Sequence, residues 1–157
     1  MHHIIQAAFG WTDSHLHDFQ IDGKNYGKLD GTIGKEEILD ERKAKLSGLI
    51  HAGQRFVYEY DFGDGWQHDV IVEQIEDAPE PMGSAFIIDG ARACPPEDVG
   101  GSWAYGEILT ALQSTPHNQQ AKDFLSWFGG SFDPELFDNR TANAALSRLA
   151  WNGWGQK

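Results

Sequence analysis

The sequence predicts an α+β fold, an antiparallel sheet with a central hairpin packed by C-terminal helices. Three observations lead there. Runs of alternating apolar residues, broken by glycine and aspartate turns, fill the first half of the chain. Apolar stripes at helical spacing fill the last third. Hairpins that precede helices, instead of alternating with them, point away from a parallel α/β sheet. With 157 residues, the chain is expected to form a single domain, 1–157, with a real core.

Each element follows from its residues. HHIIQAAF (2–9) reads as the end of a helix, with Ile4, Ile5 and Ala8 on one side and Gly10 as its stop. It starts without an N-cap, like a piece of something longer. SHLHDFQI (14–21) alternates as a strand, placing His15, His17, Phe19 and Ile21 on one face, and DGKNYG turns into a short second strand. The Gly-, Asp- and Lys-rich stretch 23–35 reads as an exposed loop, and Leu46, Leu49 and Ile50 suggest a short helix ending before Gly53.

FVYEYDFGDGWQHDVIVEQ (56–74) gives the clearest structural signal. It predicts strands at 55–62 and 66–75 across Gly63-Asp64-Gly65, where glycine supplies the positive φ that a tight turn requires and aspartate tolerates it. Phe56, Tyr58, Tyr60 and Phe62 line one face of the first strand, and Trp66, His68, Val70 and Val72 one face of the second. SAFIIDG (84–90) suggests one more edge strand, and CPPEDVGG a rigid turn whose Glu97 and Asp98 cap the next helix. That helix, around 103–113, aligns Tyr105, Ile108, Leu109 and Leu112; a second begins at Thr115-Pro116 and ends at Gly129. A third, 141–150, buries Ala142, Ala145, Leu146 and Leu149.

Charge narrows the function. The net charge is −12, and between Val57 and Glu80 there are eight acidic residues and no lysine or arginine. Nucleic-acid binding rests on cations that neutralise phosphates, so this region is a poor phosphate surface and nucleic acid an unfavoured partner. Arg42, Lys43 and Lys45 are offset by Glu36, Glu37, Asp40 and Glu41 and read as a solvated mixed-charge face. No apolar run approaches a membrane span and no basic leader precedes an apolar core, so no membrane is expected and the cytoplasm is the expected compartment. The lone Cys94 excludes an internal disulfide.

The chemical candidates are His15, His17, His68 and Asp61. Two histidines at i, i+2 on a strand point the same way, and His68 from a neighbouring strand with the Asp61 carboxylate completes an imaginable metal centre. The plainer alternative is that these side chains pair within the fold, His68 with Asp61 for example, because a buried unpaired imidazole costs about 1–3 kcal/mol. DFG within DFGDGW lacks the nucleotide loop and catalytic loop that would make it a kinase signature. Cys94 could serve as a nucleophile but lies in no recognised local signature. GxGxxG, the Walker loop, HExxH and GxSxG are all missing. No cofactor is indicated.

GWTDSHLHDFQIDGKNYG, FVYEYDFGDGWQHDVIVE, ACPPEDVGGSWAYGEIL and a late FDPELFDNRTANAAL follow one another along nearly the whole chain. Together they resemble the plasmid pRiA4b ORF-3-like family, some of whose members carry a label as resolvase-like (TnpR) passenger proteins of insertion elements. The resemblance implies an α+β domain of mobile-element origin and transfers no catalytic residues. A serine recombinase needs an arginine-rich site and a DNA-binding arm, whereas Arg42, Arg55, Arg92, Arg140 and Arg148 are scattered here. Relative to the family the chain is expected to lack an N-terminal strand, and an uncovered sheet edge favours association. The sequence therefore favours a non-catalytic module acting through a protein partner or self-association. A metal-dependent hydrolase or metal-binding protein is the first alternative, a DNA-transposition accessory protein the second.

Overall fold

The alternating runs in the first half of the chain form strands of a sheet that, among the described residues, has five strands. The structure, a computed structural model, describes residues 1–28, 38–77 and 85–153. The chain divides into two units, His15–Pro79 and Met1–Ser14 with Glu80–Lys157.

The unit His15–Pro79 holds β1 (His17–Ile21), β2 (Lys24–Gly27), β3 (Ile38–Asp40), β4 (Arg55–Tyr60) and β5 (Trp66–Ile71) in the order β3-β2-β1-β4-β5. All neighbours pair antiparallel except β2 and β3, which run parallel from Asn25 opposite Ile38 to Gly27 opposite Asp40. The α+β class stands, with that parallel pair added to an otherwise antiparallel sheet. Register puts His17 opposite Tyr60, Phe19 opposite Tyr58, and Tyr58 opposite His68. Paired residues share a face, so these rings form an aromatic ladder across three strands. Phe19, Ile21, Phe56, Tyr58 and Tyr60 are all buried, and the Phe19 and Tyr58 ring centroids lie 4.9 Å apart.

Some boundaries differ from the sequence reading. The first strand begins at His17, leaving His15 in the segment before it. Lys24–Gly27 form β2, the short second strand expected at DGKNYG, so that it occupies the start of the stretch 23–35 also read as a loop; residues 29–35 of that loop lie outside the described residues. The expected helix around Leu46 is a pair of 3-10 turns, Glu41–Lys43 and Leu46–Gly48. Asp40 caps the first of them through Arg42 N–H, and the Arg42 guanidinium, 2.9 Å from its Oδ1, holds its carboxyl below the usual range.

The hairpin β4–β5 pairs antiparallel as expected, with its strands ending at Tyr60 and Ile71 short of the expected 62 and 75, and Asp61 takes the left-handed backbone at the turn, with φ 53°. Asp61 Oδ1 accepts from Gly63 N–H at 3.0 Å and Asp64 N–H at 3.3 Å, and its carbonyl accepts from Gly65 N–H. A short side chain that bonds its own turn offsets the cost of that conformation. Gly65 also has positive φ, 66°, and no atom lies within 4 Å of where a Cβ would stand. Gly65→Val is therefore expected to lose about 1–2 kcal/mol in urea unfolding through backbone strain alone, with Gly65→Asn milder.

The second unit carries α1 (His2–Phe9), α2 (Gly101–Leu112), α3 (Gln119–Phe128) and α4 (Asn139–Trp151). None of its described helices is long and apolar enough to cross a membrane. Gly10 ends α1 in the left-handed region and Gly129 ends α3 likewise. Asn118, not Thr115, caps α3 by accepting from Ala121 N–H, and Asp138 caps α4 by accepting from Thr141 N–H. The N-cap residue of α2 is Gly100, two or three positions after Asp98 and Glu97, and Glu97 accepts from Thr12 N–H at 3.1 Å. Of the stripe predicted on α4, Ala142 and Leu146 are buried, and Ala145 and Leu149 are half-buried.

Residues 85–90 form no strand. The side chain of Asn143 takes up both backbone groups of Ile87, accepting from its N–H at 2.8 Å and donating to its carbonyl at 3.1 Å. A backbone paired this way needs no neighbouring strand.

Candidate functional site

The end of β4 and the segment before β1 place His15 and Asp61 together. Asp61 N–H donates to the carbonyl of Leu16 at 2.9 Å, fixing the turn beside that segment. His15 N–H reaches the Tyr60 hydroxyl at 3.3 Å, and the two rings meet edge-on at 5.8 Å. With the backbone held, His15 Nε2 lies 3.6 Å from Asp61 Oδ2. One carboxylate oxygen thus serves the turn and the other faces an imidazole.

His17 and His68 face other partners. β2 pairs with β1 on one side and with β3 on the other, Glu41 directly follows β3, and His17 Nε2 comes 3.0 Å from Glu41 Oε2. Glu41 therefore does not belong to a wholly solvated face. The His17 ring packs beside Phe19 and Tyr58, at 5.7 and 5.9 Å. His68 Nδ1 lies 3.2 Å from the Tyr58 carbonyl, its cross-strand neighbour, so its partner is that carbonyl where the sequence suggested Asp61.

Burial holds the His68 imidazole below its ordinary pKa, against the pull of the Tyr58 and Trp66 carbonyls. The unfolded chain thus binds this proton at higher pH than the folded one. The stability that follows is complete above the ordinary value of about 6.5 and is lost as pH falls below it. Melts between pH 7.5 and 5 are expected to show a larger loss for wild type than for His68→Phe; equal losses would contradict the assignment.

Cys94 is a poor nucleophile. Burial, reinforced by Glu97, pushes its thiol up to about 12, so the thiolate that attack requires is scarce at neutral pH.

A third grouping was not read from the sequence. His2 Nε2 lies 2.8 Å from Asp13 Oδ1, and His3 Nε2 lies 3.7 Å from Asp13 Oδ2. The available signal was a His-His pair opening a helix that a glycine ends, with an aspartate soon after the reversal.

With the geometry in place, known proteins resemble the chain throughout. The description "Plasmid pRiA4b ORF-3-like protein" belongs to a family that matches residues 1–141. The chain is 36% identical, over 159 aligned residues, to the uncharacterized protein y4hQ of Sinorhizobium fredii, spanning all of this chain and 80% of that one. The crystal structure of MM3350 from Methanosarcina mazei, a protein of unknown function, superposes with a TM-score of 0.72 at 36% identity, covering 88% of this chain and 79% of that one.

Proposed function

The chain belongs to the plasmid pRiA4b ORF-3-like family, and on that footing we propose that it is a non-catalytic, mobile-element-associated contact module of the cytoplasm. Its β5 edge takes an extended basic segment of a partner protein. One observation carries the reading: β5 ends the sheet, and among the described residues no strand lies beyond it. Val72 N–H bonds inward to the Gln54 carbonyl. Alternation along an antiparallel strand then turns the backbone groups of Gln67, Asp69 and Ile71 outward. These three side chains are exposed as well. Such an edge is a template for strand addition, in which main-chain bonds supply affinity. The eight acids and absent cations between Val57 and Glu80 select a basic partner strand over a second copy.

The test uses a ten-residue Lys-Val alternating peptide, its Glu-Val counterpart and random duplex DNA. Salt-sensitive binding of the basic peptide is expected, weakened at least about tenfold by Asp69→Pro, which removes an outward N–H and spares the inner ladder. Equal affinity in the variant sinks the reading. A concentration-dependent dimer abolished by Asp69→Pro would make the occupant a second copy, and salt-sensitive DNA binding would favour the transposition-accessory alternative.

The 3.6 Å approach of His15 and Asp61 favours a second reading, a metal-binding or hydrolytic centre. There His17 and His68 would exchange Glu41 and the Tyr58 carbonyl for the ion. Zn²⁺ at 100 times its dissociation constant would then add about 2.7 kcal/mol to stability. A melting temperature raised by Zn²⁺, with the rise lost in His15→Ala, is the outcome that supports it.

A further inference from the structure

We infer that His2, His3 and Asp13 form a binding site for a divalent first-row transition-metal ion such as zinc or cobalt. None of these residues takes part in the contact edge or the His15–Asp61 pair. The site grows out of the C-terminal reversal of α1. Gly10 turns the chain with φ 77°, and Trp11 N–H donates back to the Gln6 carbonyl at 3.0 Å. The Gln6 side chain accepts from Asp13 N–H at 2.9 Å, with Asp13 itself left-handed at φ 59°. The carboxylate is thereby returned along the helix to its first two residues.

His2 and His3 are neighbours in sequence, yet their rings sit 5.0 Å apart, edge to face. Each offers Nε2 to a different oxygen of Asp13, and one ligand atom from each of the three residues lies within 4.8 Å of the others. An ion at about 2.0–2.2 Å from each donor separates tetrahedral ligands by roughly 3.5 Å, so side-chain rotations suffice to close the set. His2 is buried and anchors it, while the His3 and Asp13 side chains, each 40% exposed, leave an open side for water or an added ligand. Two imidazoles and one carboxylate favour zinc, cobalt or iron over magnesium or calcium, which prefer all-oxygen shells.

Co²⁺ titrated into the metal-stripped, tag-free full chain tests this. The expected result is one saturating equivalent with visible ligand-field bands, weakened at least about tenfold by His3→Ala and by Asp13→Asn and unchanged by His117→Ala. His3 is half-exposed, so its variant remains informative even if His2→Ala fails to fold. The inference is overturned if no saturating spectrum forms, or if His3→Ala and Asp13→Asn bind as wild type. It is also overturned if binding is lost with His15→Ala alone.

Discussion

Tyr58→Ala is expected to lower the unfolding free energy by about 3–5 kcal/mol, the range for deleting a buried aromatic ring. Tyr58 is fully buried at the middle of β4. Its ring lies 4.9 Å from that of Phe19, 5.5 Å from His68 and 6.5 Å from Tyr60, so truncation leaves a cavity between three strands. These neighbours are held by ladder bonds and cannot collapse fully into it. At about 2–4 °C for each kcal/mol in a chain of this size, the melting temperature falls by roughly 6–20 °C. Tyr58→Phe keeps the ring and is expected to lose far less. A loss under about 1 kcal/mol for the alanine variant would show that the ladder is not the core of the sheet.

Asp61→Ala is the second large effect, expected at about 2–3 kcal/mol in denaturant unfolding. Alanine at φ 53° carries the left-handed penalty without a compensating side chain. The amides of Gly63 and Asp64 also lose their acceptor. Asp61→Asn retains an acceptor oxygen and tolerates the conformation, so its loss is expected below about 1 kcal/mol. The pair of variants separates two roles. If Asn restores stability, the carboxylate serves the turn; if Asn is as damaging as Ala, the negative charge facing His15 is what the fold needs.

The hairpin was legible because two independent signals coincide: period-two alternation of aromatics and a turn rich in glycine and aspartate. The helical stripes were legible for the same reason, each ending at glycine or a Pro/Gly-rich boundary. β3 was not, because Ile38–Asp40 is three residues long and gains its structure from β2 rather than from its own pattern. Residues 85–90 misled in the opposite direction. Their aliphatic run resembles a strand, but Asn143, 56 positions after Ile87, satisfies its backbone. No local pattern encodes such a partner.

The candidate site was half legible. His15, His17 and Asp61 were singled out by type and spacing, yet strand period two cannot group His15 with His17 when the strand starts at His17. Their partners arise from register and turns: Glu41 reaches His17 through two strand pairings, and Asp61 faces His15 from the hairpin turn. The His2–His3–Asp13 grouping depends on a helix reversal that sequence suggests only through Gly10.

The contact edge is tested most directly by residue-resolved amide exchange on β5, with and without the Lys-Val peptide. In the free protein the amides of Gln67, Asp69 and Ile71 are expected to exchange faster than those of Trp66, His68 and Val70, which face β4. On adding peptide, the three outward amides should become protected while the inward three change little. Protection that fails to appear at Gln67, Asp69 and Ile71, although the peptide binds, would contradict strand addition at this edge.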